Sequence, residues 1–134
     1  MHAVRSDIAA LATAYADFKR VLLTVDDVQY TAVRLMPGTE LGDEVHANNH
    51  QTTAVVFGSG EAVLAGARIP LAVGSVVAVP RDVRHNIRNT DDHADMHLVI
   101  IYSPPKYAVD TPPFRTHADH TRDEHKFAYR KSAI

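Results

Sequence analysis

From Arg20 to Ser103 the chain is a succession of short runs rich in Val, Ile, Thr and Tyr, most of them closed by a turn signal. The runs are "RVLLTV", "VQYTAVRLM", "TTAVVF", "EAVLAGARI", "SVVAVP", "HNIRN" and "MHLVIIYS", and the punctuation between them includes "MPGT", "GSG", "IPLAVG", "PRD" and "TDDHAD". β-Branched and aromatic side chains fit a pleated, half-buried surface, so each run reads as a strand, about eight in all. Strands this closely spaced leave no room for crossover helices. They point to an all-β fold, a small antiparallel β-barrel or sandwich.

Before the strands, Ile8, Leu11, Ala12, Tyr15 and Phe18 recur at helical spacing, which predicts a short amphipathic N-terminal helix over 6–19 with Ser6 as its N-cap. After them, from Pro104 onward, four of the seven prolines and several charged clusters fall in a stretch with little period. The expected organisation is therefore a single domain over 1–134, with a barrel core at about 19–105 and an irregular arm over 106–134. The arm is expected to pack on the barrel or to cross the interface of a homodimer.

With 134 residues the chain is long enough for one real core, and 14 Lys+Arg against 16 Asp+Glu leave no nucleic-acid or acidic-lipid footprint. The N-terminus carries Asp7 and Asp17 without a continuous apolar stretch, and no apolar run approaches the ~20 residues of a membrane span. A soluble, cytoplasmic protein with a small-molecule substrate is expected. There is no cysteine, so any metal must be held by His, carboxylate or amide groups.

Nine histidines stand out, and the stretch "GTELGDEVHANNHQTTAVVFGSG" concentrates the chemistry. In an extended chain Glu44 and His46 project on one face. If "HANNHQ" turns the chain, the strand that follows can bring His50 or Gln51 to the same point, though not both, since adjacent side chains face opposite sides. His85 opens another strand after the tight "PRD" turn.

These residues stand in a frame that resembles the two motifs of the cupin family. Gly38, five residues, Glu44-x-His46, four residues, Gln51, six residues and Gly58 follow the spacing of the first motif. Gly74, five residues, Pro80-x-Asp82, two residues, His85, three residues and Asn89 follow that of the second. The likeness extends from Lys19 to Pro105 and is nearest to small bacterial cupins of the mannose-6-phosphate isomerase-like subgroup. It implies a jelly-roll barrel, or double-stranded β-helix, with a divalent metal inside, held by Glu44, His46, Gln51 and His85. The chain departs from the family pattern at three places: Glu44 stands for a histidine, Gln51 for a glutamate and Asp82 for a glycine. The first two exchanges together conserve the ligand charge. Phosphomannose isomerases of the superfamily are similar in using Gln, His, Glu and His around zinc, so the resemblance favours zinc slightly over iron, manganese or nickel.

The implied function is a metal-dependent enzyme, isomerase-like or lyase/cyclase-like, acting on a small polar organic molecule with the metal as Lewis acid. An iron or nickel dioxygenase and a non-catalytic binding module are the alternatives. Glu44, if free of the metal, and His97, if it points inward, are the candidate acid/base groups. Arg81 and Arg84, beside the His85 turn, are candidates for an anionic substrate, and Tyr30 for a substrate contact or, like Tyr102, for packing. His50 is expected to face outward, and His117, His120 and His125 to be solvated residues of the arm.

Overall fold

The computed structural model describes residues 7–130. Its elements are helix α1 (Ile8–Thr13), strands β1 (Lys19–Val25), β2 (Val28–Leu35), β3 (His50–Phe57), β4 (Gly60–Leu64), β5 (Ala67–Leu71), β6 (Val76–Val79), β7 (His85–Arg88) and β8 (Met96–Ser103), then helix α2 (His117–Asp123) and a 3-10 turn (Glu124–Phe127). The strands form two antiparallel sheets, ordered β1-β2-β8-β3-β6 and β5-β4-β7. The all-β fold expected from the runs, and the jelly roll implied by the motif resemblance, is the fold observed, with "EAVLAGARI" resolved into the β4–β5 hairpin. Its turn residues Ala65 and Gly66 both take positive φ, 48° and 86°, as a two-residue hairpin loop requires.

α1 is shorter than the periodicity predicts. The expected cap Ser6 lies outside the described residues, and Asp7 caps the helix by accepting from the Ala10 amide. The helix ends at Thr13 because Phe18 belongs to the barrel: it is buried in the main core, and its amide donates to the Arg115 carbonyl. Only Ala12 of the helix is buried, against Ala32 and Val99 on the outer face of the larger sheet.

Inside the barrel the alternation of each long strand is graded from polar to apolar. β2 turns Gln29, Thr31, Val33 and Leu35 inward; β3 turns Gln51, Thr53 and Val55; β8 turns Tyr102, Ile100, Leu98 and Met96. The registers pair Gln29 and Gln51 with Tyr102, and Leu35 with Met96. One end of the barrel is therefore an apolar plug and the other a buried polar chamber. Only the polar end can house chemistry.

The arm closes that polar end on its own chain. Phe114 bridges Lys19, Tyr107 bridges Ala128, and Phe114 packs in the main core against Tyr107 in a tilted pair and against Phe127 edge to face. Aromatic burial on this scale, well over 1 kcal/mol per ring, explains why a proline-rich segment without period is held down. α2 starts at a capping box of Thr116 and Asp119. Gln29 fixes the start of the arm: its Oε1 accepts from the Lys106 and Tyr107 amides, at 3.2 and 3.0 Å, and its Nε2 donates to the Tyr107 carbonyl at 2.8 Å.

A candidate metal centre in the polar end of the barrel

The segment carrying Glu44 and His46 is extended but is not a regular strand. It touches the smaller sheet through two bridges, Glu40 with Arg88 and Glu44 with His85. The neighbour of Glu44 is thus His85 on β7, and not β3, which pairs with β6 and β8. The Glu44 and His85 backbones exchange both hydrogen bonds, each at 2.9 Å. The turn between β6 and β7 survives its missing glycine because Asp82 adopts φ 67°, a left-handed conformation that Asp tolerates better than most residues. Its amide donates to the His46 carbonyl at 2.8 Å, which ties the two motif segments together.

Ligand-capable atoms of Glu44, His46 and His85 lie within 4.8 Å of one another, and the His46 Nε2 to Glu44 Oε2 distance is 3.0 Å. Donors that share one divalent ion through bonds of about 2.0–2.2 Å need to stand close to these separations. His85 Nδ1 lies 2.8 Å from the Val83 carbonyl, an acceptor only, so Nδ1 carries the proton and Nε2 keeps its lone pair. That Nε2 is buried with no hydrogen-bond partner, and so is Gln51 Oε1. The Gln51 amide nitrogen is directed to Thr53 Oγ1 at 3.3 Å, which leaves its carbonyl oxygen as the free end. Buried polar atoms are almost always satisfied. Two orphaned acceptors in the polar chamber that also holds a carboxylate and a second imidazole fit a bound cation.

Electrostatics prepares the same groups. Burial works to raise the Glu44 pKa, but the hydrogen bond from His46 and the charges of Lys19 and Lys106 outweigh it and leave the carboxyl at about 2. It is ionised at neutral pH, as a ligand must be. Burial pushes His85 below the ordinary imidazole value, only partly offset by the Val83 bond, so it is neutral at pH 7.

The remaining residues singled out in the sequence fall elsewhere. His50 is exposed and meets Arg81 Nη1 at 2.6 Å, outside the barrel, as expected from its parity with Gln51. Arg84 is exposed and pairs with Asp43 at 2.6 Å. Neither arginine lines the cavity beside His46, because the positive-φ turn carries both heads to solvent. His97 shares the outer face of β8 with Val99 and Ile101 and packs on Phe57, with ring centroids 5.7 Å apart, so it does not enter the chamber. Tyr30 also lies on that outer face, in an apolar groove with Leu23, Val56 and Ile101. His120 is a further correction: it is 3% exposed, and its Nε2 sits 2.6 Å from Glu124 Oε2.

Lys19, Lys106, Tyr107 and Glu124 escaped notice in the sequence, and Tyr102 was read there as packing alone. Lys19 is buried, and its Nζ donates to the Tyr102 hydroxyl at 2.6 Å. Tyr102 in turn meets the His46 ring edge-on at 6.3 Å. Lys106 reaches Glu124 at 3.5 Å, and Glu124 also accepts from the Tyr107 hydroxyl at 3.2 Å. The only available signal is β8 parity, which turns Tyr102 to the same side as Leu98 and Ile100. Nothing local marks Lys19 or the arm. A cavity of about 490 Å³ opens beside the cluster, lined by His46, Asn48, Lys106, Tyr107, Glu124 and Tyr129 among others.

A family model described as the Cupin domain matches residues 31–102, more than half of the chain. The chain belongs to the cupin family. No curated protein matches this cupin in sequence. Among solved structures it is similar to the Bacillus halodurans protein BH2720, with a TM-score of 0.84 and 24% identity, over 90% of this chain and 95% of that one. It is similar to KdgF from Halomonas sp. with a TM-score of 0.61 and 21% identity, over 65% of this chain and 77% of that one. A predicted oxalate decarboxylase from Thermotoga maritima gives a TM-score of 0.54 and 21% identity, over 57% and 66% of the two chains. At these identities the likeness is one of fold. Among the described residues no helix is long and apolar enough to cross a membrane.

Proposed function

We propose that this cupin holds one divalent metal ion through Glu44, His46, Gln51 and His85 and acts as a metal-dependent enzyme on a small polar organic molecule, in an isomerase-like or lyase/cyclase-like reaction. The observation that carries the proposal is the pair of orphaned acceptors, His85 Nε2 and Gln51 Oε1, in the chamber where Glu44 and His46 already converge. The donor set of two imidazoles, one carboxylate and one amide oxygen suits zinc, and also iron, manganese or nickel. When bound, such an ion supplies Lewis acidity toward a carbonyl or enolate oxygen.

The chain's own groups do the rest. Glu44, held at about 2, serves better as a ligand than as a base. The Val83 carbonyl keeps His85 in the tautomer that leaves Nε2 basic. The arm and Tyr107 line the cavity beside His46, and a second cavity of about 260 Å³ reaches Glu44 between the arm and the segment that carries it. Membership of the mannose-6-phosphate isomerase-like subgroup belongs to the same proposal, as does a homodimer. The apolar groove of about 580 Å³ that contains Tyr30 and Ile101 is the surface on which a second copy would sit.

A second reading is favoured by the trio Glu44, His46 and His85 alone, since two histidines and one carboxylate with open positions also suit an iron-dependent oxygenase. Elemental analysis of freshly purified protein decides the metal. A full equivalent that survives in the His46→Ala, His85→Ala double variant would remove the assigned centre. Iron-dependent oxygen consumption on addition of a substrate would select the oxygenase, and turnover with zinc under anaerobic conditions would exclude it. Metal-free protein whose melting temperature ignores excess zinc, iron, manganese and nickel would point to a non-catalytic binding module.

A further inference from the structure

The polar chamber contains two ammonium groups that the ligand set does not use. Lys19 Nζ lies 4.9 and 5.1 Å from the ring centroids of Tyr102 and Tyr107, and Lys106 Nζ lies 5.4 Å from each of the same two rings. The Tyr102 ring is also the neighbour of His46. Two lysines therefore flank one pair of tyrosines, of which Tyr102 adjoins His46 and Tyr107 lines the same cavity as Lys106 and His46.

Placing two ammonium groups together under the arm is costly unless something compensates. Burial first, and the charge of Lys106 second, pull Lys19 from its ordinary value to about 7. The fold nevertheless builds the arrangement deliberately: Gln29 fixes the backbone of residues 106 and 107 by three hydrogen bonds. Lys19 makes one side-chain hydrogen bond, to Tyr102, out of the three an ammonium can donate. Glu44 and Glu124 are the two carboxylates that face the lysines, and they roughly balance them when the centre holds no ion. A divalent ion on Glu44 breaks the balance. The chamber then carries an excess of one or two positive charges, according to whether Lys19 is protonated, in surroundings where water screens little.

We infer that the cavity binds a small organic oxyanion, with its carboxylate or phosphate head on Lys106, the buried Lys19 adding its charge from beside Tyr102, and a neighbouring oxygen directed to the Glu44, His46 and His85 cluster. The inference rests on the metal reading for the charge excess, while the head-group contact rests on Lys106 alone. It also replaces Arg81 and Arg84 as the anion-binding groups. Lys106 sits on the wall of the cavity beside His46, and both arginine heads are outside it. Lysine meets an oxyanion as a compact point charge, and Tyr107 lines the cavity beside it.

Calorimetric titration of the zinc-loaded protein with malonate, and separately with methylphosphonate, tests this. Saturable binding of at least one is expected, and the preferred one identifies the head group. Lys106→Gln, whose side chain is partly exposed and whose backbone Gln29 still holds, should keep its full zinc equivalent and weaken binding about tenfold or more, and Lys106→Arg should recover most of it. Binding to Lys106→Gln as tight as to the native chain, with zinc retained, overturns the inference, as does a zinc-loaded native chain that binds neither anion. If the native chain takes up no zinc, the same titration is read on the metal-free protein. Lys106-dependent binding then upholds the oxyanion site while the metal reading falls, and absence of binding overturns both.

Discussion

His85 Nδ1 lies 2.8 Å from the carbonyl oxygen of Val83, two residues earlier, and that contact leaves the buried Nε2 of the same ring with its lone pair free. The backbone of the turn thus sets the protonation of the side chain. Replacing His85 by Ala should remove most of the metal affinity. In the native chain, zinc at a hundredfold excess over its dissociation constant should add about 2.7 kcal/mol of stability, which Tm registers as a rise of several degrees. Calorimetric melting with and without zinc, together with elemental analysis, is the measurement. A His85→Ala variant with an undiminished zinc-dependent rise would contradict the assignment.

Gln51 offers a neutral oxygen where the family pattern has a carboxylate. Gln51→Glu should tighten divalent metal binding, and Gln51→Ala should weaken it, each by about tenfold and in opposite directions. Competition with a chromophoric chelator reads both. If the two variants shift in the same direction, Gln51 is not a ligand.

Acid should destabilise the metal-free protein in two stages. His85 and His120 are buried and depressed below 6.5, so the folded state resists protons that the unfolded chain accepts, and stability begins to fall as pH drops through about 6.5. Glu44 is held at about 2 and Glu124 well below the usual carboxylate range, against about 4.5 unfolded. Their contribution is complete above pH 4.5 and is lost as pH falls toward 2. Urea midpoints at pH 7, 5.5 and 3.5 should decline at each step.

Lys19 has the opposite sense. Its folded value of about 7 lies below the ordinary 10.5, so between those values the unfolded chain binds the extra proton and stability rises with pH. The rise should be on the order of 1–4 kcal/mol between pH 7 and pH 10. Lys19→Met should flatten that slope, whatever its effect on stability at pH 7. A slope that persists in the variant would place the titration elsewhere.

Gly58 and Gly74 both adopt positive φ, 80° and 94°, but they differ in space. A Cβ at Gly58 would run into the Asp95 carbonyl oxygen, whereas at Gly74 it meets nothing within 4 Å. Gly74→Ala should cost about 1 kcal/mol from conformation alone, and Gly58→Ala about 2–4 kcal/mol. Chemical denaturation gives both values. Equal losses would mean that the Asp95 backbone yields freely.

Much of this was legible in one dimension, and for identifiable reasons. Side-chain alternation is a property of the strand itself, so the sequence by itself determined the strands, which residues of each share a face, and the parity that sets Gln51 and His50 on opposite sides. The resemblance of the Gly38 to Gly58 and Gly74 to Asn89 spacings to the two cupin motifs is what singled out Glu44, His46, Gln51 and His85. What lay beyond reach was non-local. The partnership of Glu44 with His85 depends on a bridge between segments about forty residues apart, and the identity of the inner face on β8, which excludes His97 and Tyr30, depends on where α1 docks. The chamber's two ammonium groups come from the first strand and the start of the arm, 87 positions apart in the chain and brought around Tyr102 only by folding. Local periodicity decides which way a side chain points; only the closed barrel decides which charges share a low-dielectric space, and that is what sets their pKa values and the ligand they can accept.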